Sequence, residues 1–235
     1  MRYDDPFCIK LLNSANACEE HQITKIVKRG DEGAATVRDK LIEVAAVHFA
    51  EHGLQGASQR AIQREVGVNP GAAHYHFGSK EALYLAVIED ALQRIQAGRT
   101  QLLKDFEIGQ NGSGGVRRLL NAYLAPMLRE ATTVRGHSYL RILVAQLSHA
   151  DMAREAMEAQ VQEVRERYID HFSRIFPAVS RNRLYEILRV CLSVAAIVPI
   201  QFTHEQLSEQ KIETMIGDIT EITAVIFDRM CNDDG

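Results

Sequence analysis

Residues 58–83 read SQRAIQREVGVNPGAAHYHFGSKEAL, and this stretch decides the fold. Ser58 places a hydroxyl where it can cap a short helix, and Gly67 stands where that helix must stop, a position that favours a residue free to adopt positive φ. Asn69 followed by Pro70 predicts the start of a second short helix, because proline at the first helical position gives up no needed hydrogen bond. A longer amphipathic helix is expected before them, from Val37 to His52, with Thr36 and Asp39 as cap and reciprocal acid and Gly53 closing it. Helices of about eight residues are marginal alone, so Ile62, Val66, Val68 and Phe77 must pack on Leu41, Ala45 and Phe49. Two short capped helices across a Gly67-Val68 turn have the layout of a helix-turn-helix, in which the second helix enters the DNA major groove.

The rest of the chain reads as helix throughout. Ser79 caps a fourth segment whose apolar residues Leu83, Val87, Leu92, Ile95 and Leu102 recur at three and four, carrying it to about Glu107. Gly109 to Gly115 holds four glycines in seven residues and reads as a loop. Beyond it, helices are expected over Val116 to Thr132, Gly136 to His149, Asp151 to Phe176, Ser180 to Val198 and Ser208 to Met230, with Pro177 and Pro199 as stops. Few windows alternate at period two, so the fold class is all-α: an N-terminal helix-turn-helix domain and a larger helical domain. The expected divisions are an N-terminal extension over 1–35, a DNA-binding domain over 36–82 and a helical ligand-binding and dimerisation domain over 83–235. The extension is read as one amphipathic helix around Cys8 to Val27 or as a flexible arm.

Composition narrows the class. With 235 residues, 46% apolar and 25% charged, the chain can bury real cores, which excludes disorder and collagen-like repeats. Cys8, Cys18, Cys191 and Cys231 have neither zinc-site spacing nor the density of a disulfide scaffold, so a reducing, cytoplasmic setting is expected. Asp4, Asp5 and Pro6 follow Arg2 with no long apolar run, unlike a secretory signal. The most apolar stretch, Val190 to Ile200, is half of the roughly 20 residues that span a bilayer, so no membrane partner is expected. The net charge of −4 argues against a protein that coats nucleic acid. Yet residues 36–80 hold five basic and four acidic side chains, so the segment that would meet DNA is close to neutral and must rely on helix termini and a few placed cations.

Phe49, Gly53, Ile62, Gly67-Val68 and the run Tyr75, His76, Phe77, Ser79, Lys80, Glu81, Leu83 together resemble the TetR-type bacterial transcription regulators, over roughly Val37 to Leu92. The resemblance implies that Ser58 and Lys80, each at a helix N-terminus, meet phosphates. It also implies that His74 and Tyr75 face the backbone or base edges and that Gln59 and Arg60 reach bases, arginine being suited to bidentate pairing with guanine. Pro70, Gly71, Ala72 and Ala73 have little hydrogen-bonding capacity, so they are expected to offer methyl contact and close backbone approach, leaving specificity to the polar four and to DNA shape. Gln63 departs from the family pattern, which places alanine there, and Ala72 and Ala73 are the residues that would offset its volume.

The same resemblance implies a pocket in the helical domain, with Leu102, Phe106, Tyr123, Met127, Tyr139, Arg141, Leu143, Tyr168 and Phe172 as candidate lining and His137, Gln146 and Gln160 as further polar candidates. That lining suits a small hydrophobic effector such as an acyl chain or an aromatic compound. Leu184, Leu188, Cys191 and Ala195 on one helix, and Ile212, Met215, Ile219, Ile222 and Ile226 on the next, present more apolar face than one core needs, which fits a four-helix homodimer interface. The expected function is a ligand-responsive transcriptional repressor that binds a palindromic DNA operator as a homodimer, with no cofactor, no metal and no enzymatic activity. Two other classes compete. His48 and His52 have the four-residue spacing of a metal pair, and His74 and His76 alternate, but no third ligand accompanies them and solvent-facing or phosphate-facing roles fit better. A protein-interaction module with a helix-turn-helix that no longer binds DNA is the other.

Overall fold

The computed structural model describes residues 36–108, 115–147 and 152–232. Within them run nine α-helices and no strand: α1 Val37–Gly56, α2 Gln59–Val66, α3 Ala72–Phe77, α4 Lys80–Ile108, α5 Gly115–Glu130, α6 Val134–Leu147, α7 Met152–Ile175, α8 Arg181–Ile197 and α9 Glu209–Asn232. Two short 3-10 turns, Pro199–Gln201 and His204–Gln206, join α8 to α9. The extension over 1–35 and the glycine-rich segment over 109–114 lie outside the described residues.

The local signals at Gly53, Ser58 and Gly67 act as expected. Gly53 breaks the helical path of α1 with φ 65°, Gly67 closes α2 in the left-handed region at φ 74°, and the Ser58 hydroxyl accepts from the Ala61 N–H at 3.3 Å. Asn69 and Pro70 build a turn rather than the first turn of α3. The Asn69 side chain accepts from the Gly71 N–H at 3.0 Å and its carbonyl from the Ala72 N–H at 2.8 Å, so the helix proper begins two residues later than expected and spans six.

Helix α1 is buried on a wide face, Leu41, Ile42, Val44, Ala45, Ala46 and Phe49, because it packs on α2 and α4 and also along α6. Phe49 meets Tyr84 of α4 edge-on at 4.9 Å between ring centres. Val37 onward therefore forms one compact unit, with the helix-turn-helix end and the larger bundle sharing α1 and α4. Gln63 is buried at 4% exposure, and α3 brings the fully buried Ala73 and the partly buried Phe77 to the core.

Helix α4, 29 residues and about 43 Å long at 1.5 Å per residue, runs through the whole unit. At Gly98 it lies close against α5: a Cβ there would lie 2.9 Å from the Pro126 Cβ. The glycine thus serves close packing. At the end of α5, Glu130 accepts from Arg94 at 3.0 Å and 2.7 Å, while Asp90 pairs with both Arg94 and Arg135, tying α4 to α5 and α6. A Cβ on Gly136 would collide with the Glu130 carbonyl, so α6 can start here only with glycine.

Arg181–Gln201, with mean hydropathy 1.6, is long and apolar enough by length and composition to cross a membrane, which corrects the expectation that this region falls well short. In the fold its apolar face is a core face: Leu184, Ile187, Leu188, Cys191, Ala195 and Ala196 are buried within the bundle, where α8 packs on α9, α6, α7 and α5.

Candidate functional site

The helix-turn-helix end presents its polar groups outward. Ser58, Arg60, Pro70, Gly71, His74 and Tyr75 are exposed, Tyr75 at 86%, while Gln59, Ala72 and Lys80 are half-buried. Tyr75 leans edge-on against His76 at 5.2 Å. The Gln59 amide nitrogen is hidden from solvent and has no hydrogen-bond partner among the described residues.

Lys80 has a second task. Its ammonium donates to the carbonyls of Gln55 at 3.1 Å and Ala57 at 3.3 Å, two residues that bracket the chain just before Ser58. It therefore fixes the start of α4 to the start of α2, and keeps one of its three N–H groups for any other partner. His48 and Glu65 make a comparable tie, Nε2 to Oε2 at 2.8 Å, between α1 and α2. The His48 ring is thereby committed to the fold. Arg38 lies over the Phe77 ring at 5.3 Å and holds α3 against the start of α1.

In the bundle a cavity of about 780 Å³ opens between α4, α5, α6, α7 and α8. Tyr123, Met127, Tyr139 and Leu143 line it as expected, joined by Leu92, Ile95, Arg99, Met157, Val161, Tyr185, Leu188, Leu192, Val194 and Ile197. The remaining candidates lie elsewhere. Leu102 and Phe106 border a separate depression of about 420 Å³ with Arg117, Arg118 and Asn121. Tyr168 and Phe172 are fully buried and belong to the core: the Tyr168 hydroxyl shares its proton between the carbonyls of Arg99 at 2.8 Å and Ala122 at 3.0 Å, and Phe172 stacks on Phe227 at 4.4 Å. Arg141 and Gln160 do not line the cavity. The Gln146 side chain lies outside the described residues. His137 is spent on structure, its Nε2 paired with the Phe202 carbonyl at 2.8 Å, and burial pushes its pKa below the usual value.

Arg99 is the residue that sequence reasoning passed over. It is 3% exposed, its Nε donates to the Tyr123 carbonyl at 2.8 Å, and its guanidinium lies over the Tyr123 ring at 3.9 Å. The signal was present: position 99 continues the stripe of Leu92, Ile95 and Leu102 at three- and four-residue steps, so a charge stands on an apolar face.

The apolar residues expected at a dimer interface divide differently. Leu184, Leu188, Cys191, Ala195, Ile212, Met215 and Ile219 are buried inside the single chain, because they are the stripe that closes α8 and α9 onto each other and onto the bundle. Ile222 at 54% and Val225 at 61% are exposed on α9, and Val190 and Ile197 on α8, while Ile226 is half-buried.

A family model for bacterial regulatory proteins of the tetR family matches residues 41–87, and a model for the C-terminal domain of tetracyclin repressor-like proteins matches residues 121–217. The HTH-type transcriptional repressor AcnR of Corynebacterium efficiens is 40% identical over 58 residues, 25% of this chain and 31% of that protein. The HTH-type transcriptional repressor KstR2 of Mycolicibacterium smegmatis is 37% identical over 71 residues, 30% of this chain and 34% of that protein. The chain thus spans about a third of the length of these curated relatives. The fatty acid degradation regulator FadR from Bacillus halodurans superposes with a TM-score of 0.60 at 12% identity, over 83% of this chain and 97% of that one, a likeness of fold. With both its helix-turn-helix end and its bundle matched, the chain belongs to the tetR family.

Proposed function

We propose that this regulator is a homodimeric cytoplasmic repressor that binds a near-palindromic DNA operator and is released by a small apolar effector. One observation carries the reading. Helix α4 lines the cavity with Leu92, Ile95 and Arg99, and the same helix begins at Lys80, whose ammonium grips the carbonyls on either side of Gly56, just ahead of the Ser58 cap. A ligand that fits only one position of α4 therefore shifts the placement of the DNA-reading end, by no more than its differential affinity for the two positions.

Residues 36–82 serve as the DNA-binding domain and 83–235 as the ligand-binding and dimerisation domain. Arg60, His74 and Tyr75 read the groove, Ser58 and the spare N–H of Lys80 meet phosphates, and Pro70, Gly71 and Ala72 allow close backbone approach. Gln59 joins them by turning its amide outward. Ile222 and Val225 supply the apolar contact across the two-fold axis, and the buried stripe behind them holds α8 and α9 as a rigid pair. The names of AcnR and KstR2 as repressors support the sign of regulation.

Selection of bound fragments from a pool of the host's genomic DNA tests the reading. An inverted repeat is the expected product, and a pool that enriches nothing overturns it. Lys80→Ala should weaken binding evenly across operators and flatten the salt dependence by about one phosphate contact, read by titration at several salt concentrations.

A further inference from the structure

We infer, building on the effector-cavity reading, that the ligand is an amphipathic carboxylic acid whose carboxylate meets the Arg99 guanidinium while its apolar part fills the cavity. Arg99 is buried at 3% exposure, yet no carboxylate among the described residues pairs with it. Its partners are the Tyr123 carbonyl, the Gln96 side-chain oxygen at 3.4 Å and the face of the Tyr123 ring. None of these is an anion. A guanidinium keeps its proton at any physiological pH, so a buried one without a counterion is costly and needs a reason.

The fold builds this placement from several residues. Pro126 lacks an N–H, which leaves the Ala122 carbonyl one turn earlier without its helical donor, and the Tyr168 hydroxyl supplies one. The next carbonyl along, that of Tyr123, receives the Arg99 Nε. Gly98 lets α4 approach the Pro126 ring closely enough for that bond to form. The guanidinium is thus fixed on the cavity wall by its Nε, with Nη1 in a long bond to the Gln96 side-chain oxygen and Nη2 left to a ligand.

The other charges on the wall are paired or exposed. Glu158 is paired with Arg165 at 2.6 Å and Glu186 with Arg183 at 3.3 Å, and Glu158, Glu186 and Arg189 are all exposed. The uncompensated buried charge is therefore positive. Tyr139, 2% exposed, lines the same cavity, and burial raises its phenol far enough that it stays a proton donor. One guanidinium fork and one phenol O–H suit the two oxygens of a singly charged carboxylate better than a phosphate dianion, which would meet a single cation. Leu92, Ile95, Met127, Leu143 and Val161 take the apolar part.

Isothermal titration of the full chain with dodecanoate, dodecanol and dodecyltrimethylammonium, each below its micelle concentration, tests this. Dodecanoate should bind about tenfold or more tighter than dodecanol, and the cation weakest. Arg99→Met should remove the preference while dodecanol binding persists, and Arg99→Lys should keep part of it. If Arg99→Met fails to fold by circular dichroism, the three probes on the native chain and Arg99→Lys still decide. Equal binding of dodecanoate and dodecanol, or a preference that survives Arg99→Met, overturns the carboxylate anchor and leaves the apolar cavity standing. Failure of all three probes to bind overturns both.

Discussion

Tyr75 on α3 is 86% exposed, whereas Tyr139 on α6 is 2% exposed, and the two tyrosines mark opposite ways of presenting chemistry within one unit. At the helix-turn-helix end the polar groups stand outside short helices, and local devices hold them: the Ser58 cap, the left-handed Gly67, the Asn69 turn and the Lys80 tie. In the bundle the polar groups stand inside, and position comes from five helices at once. The lesson is that the outer face can be altered residue by residue with little effect on the fold, while the inner wall shares its residues with the core.

The comparison breaks most visibly where the outer end has a core of its own. Ile62 is fully buried, so Ile62→Ala should cost about 2–5 kcal/mol in urea unfolding, and a loss under about 1 kcal/mol would mean the short helices do not pack on α1 as described. Arg60→Ala should cost about 1–3 kcal/mol of discrimination at one base-pair position with an unchanged melting temperature, measured by competition between operator variants. A uniform loss across variants would reassign Arg60 to the phosphates.

Gly67→Ala isolates the backbone. A Cβ there meets nothing within 4 Å, so the cost of about 1–2 kcal/mol is that of holding a side chain at φ 74°, again read by urea unfolding. The smallest expected effect lies on the inner side. Burial keeps the His137 pKa below its unfolded value, so the unfolded chain takes up the proton more readily. The stability that neutral His137 contributes is complete above about pH 6.5 and is lost as pH falls below it. Melting temperatures from pH 7.5 to 5 should fall more steeply in the native protein than in His137→Gln, and parallel slopes would contradict the assignment.

The same division explains what could be read in advance. Gly53, Gly67, Ser58 and Ser79 act through their own φ angles and hydroxyls on groups three or four residues away, so their effect is written locally and the helix boundaries follow. Asn69 shows the limit even there, since its side chain could cap a helix or close a turn and the turn prevails. In the bundle, periodicity separates inside from outside but does not say which inside. Tyr168 and Tyr123 both lie on apolar stripes, yet one spends its hydroxyl on a carbonyl freed by a proline 42 residues earlier, and the other faces the cavity. Leu184 and Ile222 likewise both belong to apolar runs, and only the packing of α8 on α9 decides that one is core and the other surface.

Hydroxyl-radical footprinting of a selected operator, with the protein-to-DNA ratio measured on the same complex, tests the central claim most directly. The account predicts two protected patches related by a dyad, centred about 34 to 36 Å apart or a multiple of it, with two chains per operator. A single unsymmetrical patch, or one chain per operator, would contradict it.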